Sequence, residues 1–288
     1  MSSMTTPTEI PEVPAAEPHR WSYRHTRLVR VSHWINVVCM TILLMSGLQI
    51  LNAHPALYWG ERSTFEHPIL SLGAKQTATG EGIGVTTLFG HEFGTTGVLG
   101  LSRDGSGDLA ARGFPAWATI PSQQGLAMGR RWHFFFAWLF VINGLIYALS
   151  ALASGHLLRD LIPSREDLRH FGRSVWDHMR FRFPKGEAAK RYNVLQKISY
   201  FIVVFALGPL IILTGLTMSP RLDAGFPLLL DVFGGRQSAR TIHFICAFAF
   251  LAFVLIHVFM VLVSGVWNNL RSMITGWYTV DQPGEPHE

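Results

Sequence analysis

Four stretches of the chain run without a single Asp, Glu, Lys or Arg: Val31–Gly60, Trp132–Leu158, Ile198–Pro220 and Thr241–Leu270. Each is dominated by apolar residues and reaches the ~20 that a helix needs to cross a bilayer. The pattern predicts spans at about 31–53, 132–156, 196–219 and 241–265, and so an all-α integral membrane four-helix bundle. The first connection, roughly 54–131, is glycine-rich. Its Gly80-Glu-Gly-Ile-Gly84 looks like a phosphate loop but has no strand-then-helix context. It reads as a solvent-exposed link with short interfacial helices, with Tyr58, Trp59 and Phe65 at the headgroup level. The second connection alternates charges with aromatics around Arg169, Phe171, Trp176 and Phe181, which predicts a short helix lying on the inner leaflet. Residues 1–23, rich in Pro, Thr and Glu, read as a disordered tail, 24–276 as one domain and 277–288 as a second tail. No internal repeat stands out.

Composition strengthens the membrane reading. The chain is 49% hydrophobic and 15% charged with mean hydropathy +0.25, whereas soluble domains carry about 25% charged residues. The net charge of +5 is no nucleic-acid signal, because the basic residues are sorted by connection. Arg20, Arg24, Arg27 and Arg30 precede the first span, and ten Lys or Arg lie between Arg159 and Lys197. Only three lie between Arg221 and Arg240. The positive-inside rule then puts both termini and the second connection in the cytoplasm, with the first connection outside. No apolar core with a small-residue cleavage site opens the sequence, so no removable signal peptide is expected. Cys39 and Cys246 fall inside spans and read as packing residues. A Cys-x-x-Cys-His motif for covalent haem attachment is absent.

Histidine supplies the candidate chemistry, because an ionisable residue inside a span is costly and usually functional. His243 and His257 stand fourteen residues apart on the fourth span. At about 100° and 1.5 Å per residue they share one face, ~21 Å apart along the helix. His33 opens the first span and His133 the second. The topology pairs them by depth: His133 with His243 near the outer surface, His33 with His257 near the inner. Neutral imidazole is a good haem-iron ligand, and bundles build such sites from facing helices. Gly47 lies on the His33 face at the depth of the outer pair, and Gly144 near the His133 face toward the inner pair. Both are candidates for clearing a haem edge, against the plainer role of close helix packing. His54, His67 and His91 read as solvated surface histidines, and His156 has no evident partner.

The stretches Arg30-Val-Ser-His-Trp-Ile-Asn36, Arg131-Trp-His-Phe-Phe-Phe-Ala-Trp138, Tyr192-Asn-Val-Leu-Gln-Lys197 and Asn268-Asn-Leu-Arg-Ser-Met-Ile-Thr-Gly276, with the His243/His257 spacing, resemble the bacterial di-haem cytochrome b family. That family includes the membrane subunits of nickel-iron hydrogenase and formate dehydrogenase. The resemblance covers all four spans, while the long first connection departs from compact members. It implies two haems b ligated by His33, His133, His243 and His257, with quinone chemistry beside the inner haem. The family's polar residues there match Asn193 and Gln196, with Tyr192 adjacent. Arg30 and Arg131 are candidate partners for haem propionates, or simply positive flanks that fix topology.

The leading expectation is transmembrane electron transfer between membrane quinone and a redox subunit on the outer face. That partner would be a hydrogenase, a formate dehydrogenase or a molybdopterin oxidoreductase, and the wording of the sequence looks most like the last. A stand-alone superoxide:quinone oxidoreductase would need a positive funnel, for which Arg130, Arg131, Arg236 and Arg240 are available. A haem-free transporter or assembly factor is the third class.

Overall fold

The computed structural model describes residues 20–155, 169, 172, 176, 180, 194–219 and 224–280. Four helices are long and apolar enough to cross a membrane: α1 (Arg27–Leu51), α2 (Leu126–Ala153), α3 (Val194–Thr217) and α5 (Arg236–Val263). Each starts a few residues before the uncharged run that predicted it, because the basic flanks (arginines at α1, α2 and α5, Lys197 at α3) join the first turns. Thr26 caps α1, its Oγ1 accepting from Val29 N at 3.4 Å. Within α3 the backbone opens into a π turn over Val203–Leu207. Pro209 has no N–H to give the Phe205 carbonyl and crowds it, which is the usual origin of such a turn.

The spans reverse the polarity of a soluble core. Phe135, Leu149, Leu255 and Ile256 face outward, exposed. Ser32, Ser46, Gln49, Asn143, Thr214, Thr217 and Thr241 are buried. Lipid offers no hydrophobic drive for helices to associate, so small and hydrogen-bonding residues hold the interfaces. Asn143 Nδ2 donates to Ser32 O (3.0 Å) and to Asn36 Oδ1 (2.8 Å), tying α2 to α1. Helix α1 packs along α2, and α3 along α5.

The first connection is where the structure departs from an all-α chain. Instead of short interfacial helices it builds a β cap, since backbone polar groups outside the bilayer must pair with one another or with water. Strands β2 (Ala56–Leu57), β3 (Leu70–Gln76), β4 (Gly82–Leu88) and β5 (His91–Gly94) form an antiparallel sheet in that order. β6 (Gly100–Arg103) pairs with β7 (Leu109–Arg112) beside it. Leu51, Leu57, Leu72 and Phe114 make its core, packed against Leu48 of α1 and Phe244 of α5, so the cap is continuous with the bundle. Arg112 is buried in it, donating to Phe114 O (2.6 Å), Ser122 O (3.1 Å) and Thr119 Oγ1 (3.0 Å). Burial lowers its pKa, with Asp104 opposing.

The cap is bolted to the N-terminal end of α5. Arg240 donates to His54 O (2.5 Å), Thr241 Oγ1 to Tyr58 O (2.6 Å), and Gly60 N to Ser238 Oγ (2.7 Å). Tyr58 is therefore buried rather than at the headgroup level, while Trp59 and Phe65 are exposed. The turn before β4 is Thr77–Gly80, closed by Gly80 N donating to Thr77 O at 2.9 Å, and Gly82–Gly84 are the first residues of β4 itself. A short helix α4 (Leu228–Phe233) precedes α5.

At the opposite end, Gly265 turns the chain at φ +102° into the amphipathic helix α6 (Val266–Thr275). Residues placed in the two tails pair across the termini: β1 (Arg20–Tyr23) lies antiparallel to β8 (Trp277–Val280). The predicted inner-leaflet helix after α2 falls almost wholly outside the described residues.

Candidate functional site

Three of the four spans, α1, α2 and α5, bring the histidines together in two pairs. The His133 and His243 ring centroids lie 6.2 Å apart with an interplanar angle of 61°. Those of His33 and His257 lie 6.2 Å apart at 63°. No hydrogen bond joins the rings of either pair among the described residues, which rules against a simple interhelical His–His bond. The separation has a chemical meaning. With metal–imidazole bonds of about 2 Å and ring centres roughly 1.1 Å behind each nitrogen, one metal between two imidazoles puts their centroids about 6.2 Å apart.

Protonation of His133 and His243 follows from their neighbours. His243 Nδ1 lies 3.0 Å from Ile211 O, which can only accept, so Nδ1 carries the proton. Thr214 Oγ1 stands 3.2 Å from the same nitrogen and gives its own hydrogen to Leu210 O (2.7 Å), leaving a lone pair to accept. Ser46 repeats the arrangement: Oγ donates to Ile42 O (2.6 Å) and accepts from His133 Nδ1 at 3.1 Å. In both rings Nε2 is left unprotonated, as a metal ligand must be. His33 and His257 are held by rings instead. Trp34 meets His33 edge-on at 5.5 Å, and Phe253 stacks on His257 at 5.9 Å and 18°.

A glycine follows each of the two hydroxyls. A Cβ on Gly47 would stand 3.4 Å from His133 Cε1, and one on Gly215 would stand 3.3 Å from His243 Cε1. Sequence reasoning identified Gly47 but missed Ser46, Thr214 and Gly215. The signal was there: Ser46-Gly-Leu48 on the first span recurs as Thr214-Gly-Leu216 on the third. Nothing stands within 4 Å of a Cβ built on Gly144, so no described neighbour demands a glycine there.

The remaining candidates are scattered. Arg30 lies one turn before His33, rotated by about 60° from it, and its Nη1 donates to Ile274 O. Arg131 is exposed, its Nη1 4.0 Å from Met128 Sδ. Arg130 lies over the Phe134 ring and Arg240 is tied to the cap. Gln196 sits exposed in the first turn of α3, while Tyr192 and Asn193 fall outside the described residues, as does His156. His54 is half-buried, stacked on Tyr58 at 5.7 Å and 20°, not the solvated surface residue its loop position predicted. Cys39 and Cys246 are buried free thiols.

The donor set, the shared separation and the small residues beside the outer rings all fit haem. Comparison with known proteins points the same way. The chain is 29% identical over 254 residues, 88% of its own length and 96% of the relative's, to YedZ1 of Azospira oryzae, described as a candidate subunit of a protein-methionine-sulfoxide reductase. Residues 24–276 match the prokaryotic cytochrome b561 family across all four spans. The chain belongs to that family and is a membrane haem protein of electron transport.

Proposed function

We propose that the chain holds two haems b, one between His33 and His257 and one between His133 and His243. In this reading it passes electrons between membrane quinone at the inner pair and a redox subunit docked on the cap side. The observation that carries it is the common 6.2 Å separation of two histidine pairs at two depths, each with one member on α5. When bound, each haem supplies a one-electron iron couple. The chain supplies ligation, spacing and a dry surround. His243 and His257 set the two sites ~21 Å apart along one rigid helix. Ser46, Thr214 and the Ile211 carbonyl hold the outer imidazoles with Nε2 free. Gly47 and Gly215 keep side chains off the outer rings, and Gly144 clears the inner site. Arg131 is the propionate candidate, since the Arg30 guanidinium is engaged by Ile274 O. Tyr192, Asn193 and Gln196 are candidates for the quinone head, since an amide both donates and accepts.

Likeness to YedZ1 favours a partner that reduces methionine sulfoxide, and a molybdopterin oxidoreductase over a hydrogenase or formate dehydrogenase. Reducing a sulfoxide consumes two electrons and two protons, so electrons run from quinol at the inner pair to the outer one. The termini then face the cytoplasm of a bacterial inner membrane and the cap faces the periplasm. Membership of a haem family sets aside the haem-free transporter. The superoxide alternative is weakened because Arg240 is tied to the cap and Arg130 lies over Phe134.

The test is a reduced-minus-oxidised spectrum with a haem count on the purified protein. Two haems per chain are expected. His133→Ala and His243→Ala should remove the same spectral component, and His33→Ala and His257→Ala the other. Full haem content in His133→Ala would overturn the pairing.

A further inference from the structure

The cap-distal end of α1 carries a surface that the histidine pairs do not use. Arg27, Arg30, Trp34 and Val38 recur at helical spacing and line one wall of a groove of about 690 Å³, closed by Leu139 of α2 and Ile274 of α6. Arg27 and Arg30 lie at one end of it, and apolar side chains line the rest. From Arg27 to Val38 the helix rises ~16 Å, about half of the ~30 Å hydrocarbon layer. The groove is therefore one leaflet deep, with its positive charge at the lipid headgroup level.

That charge has no protein counterpart among the described residues. No Asp or Glu lines the groove, and neither α1 nor α6 has an acidic residue in its first turn. The one ion pair among the described residues is Lys75–Glu92, in the cap. Arg30 is fixed by its bond to Ile274 O, yet its buried Nε has no partner among the described residues. Trp34 is fixed as well, its Nε1 donating to Met273 O at 3.2 Å. Both cations belong to α1, and one of them, Arg30, is held against α6 through Ile274 O.

We propose that this groove is a binding site for an anionic phospholipid, the phosphate on Arg27 and Arg30 and an acyl chain along Trp34, Val38 and Leu139. Basic pockets between membrane helices take such headgroups. A neutral quinone would leave both guanidiniums uncompensated, so charge selects the lipid. The proposal rests on the spans and the groove, and stands whether or not the haem pairing holds. Because Trp34 also touches His33, a bound lipid would brace the inner histidine.

The experiment is native mass spectrometry of the full chain, purified in mild detergent and offered equal phosphatidylglycerol and phosphatidylcholine. Wild type should keep phosphatidylglycerol under conditions that strip phosphatidylcholine. Arg27→Gln with Arg30→Gln should hold it about thirtyfold more weakly, from two cationic contributions at an anionic surface. Lys75→Gln in the cap should be unaffected. Val38→Trp, which fills the trough without changing charge and faces lipid, should also lower retention. Equal retention of the two lipids, an unchanged double variant, or a quinone mass recovered in place of the lipid would each overturn the proposal.

Discussion

Ser46 Oγ lies 3.1 Å from His133 Nδ1, and neither histidine of the inner pair has a hydroxyl so placed among the described residues. The two sites therefore differ in the atoms behind the ligands, not in the ligands. A hydrogen bond accepted from Nδ1–H makes an imidazole more electron-rich and favours the oxidised metal. Ser46→Ala should raise the midpoint of the outer component by about 40 mV, taking the bond as ~1 kcal/mol on a one-electron couple. Thr214→Val should do less, because Ile211 O still accepts from His243. Spectroelectrochemical titration separates the components, and equal shifts in both would contradict the assignment.

The glycines beside these hydroxyls set a steric prediction. At 3.3–3.4 Å from the imidazole Cε1 atoms, a methyl at Gly47 or Gly215 is accommodated with a small shift of the ring. A branched side chain is not. Gly47→Ala and Gly215→Ala should keep both haems, whereas Gly47→Val and Gly215→Val should lose the outer one and keep the inner. A Gly215→Val protein with two full haem signals would show that the ring has room to move.

The spans and the depth pairing were readable because membranes impose strong rules: charge-free runs, arginine-marked ends and fourteen residues between two histidines on one face. Ser46 and Thr214 were not. A hydroxyl inside a span reads as bonded to its own helix, which both are, through Ile42 O and Leu210 O. The lone pair that each turns toward a histidine belongs to tertiary structure. The cap escaped for another reason. β3 (Leu-Ser-Leu-Gly-Ala-Lys-Gln) and β4 (Gly-Ile-Gly-Val-Thr-Thr-Leu) carry glycines where a packed strand pattern would carry side chains. Gly82 and Gly84 of β4 answer to Leu101 of β6, which lies against both and which no local window contains.

Gly100 gives that argument a test. Its φ is +79°, and a Cβ there would stand 2.1 Å from Gly73 O. The backbone carbonyl cannot retreat without breaking β3. Gly100→Ala should destabilise the cap by roughly 3 kcal/mol, joining the left-handed cost to a forced strand displacement. Faster hydrogen exchange over residues 70–112, with α2 and α5 unchanged, is the expected result. Loss of protection throughout the spans would mean that the cap and bundle unfold as one unit.

His54 makes the junction of cap and α5 sensitive to acid. Its carbonyl accepts from Arg240, and its ring lies on Tyr58 with the edge of Phe65 at 5.6 Å. Burial first, and then the charge of Arg240, hold its pKa below the ordinary 6.5. The docked loop thus binds a proton more weakly than the released loop. Stability of the junction is full above pH 6.5 and falls as the pH drops from there toward the depressed value, because the released form takes up the proton. Protection factors of residues 54–60, with the intrinsic pH dependence of amide exchange divided out, should be lower at pH 5.5 than at pH 7.5, and the difference should vanish in His54→Gln. A pH dependence that survives in His54→Gln would move the sensitivity to another group.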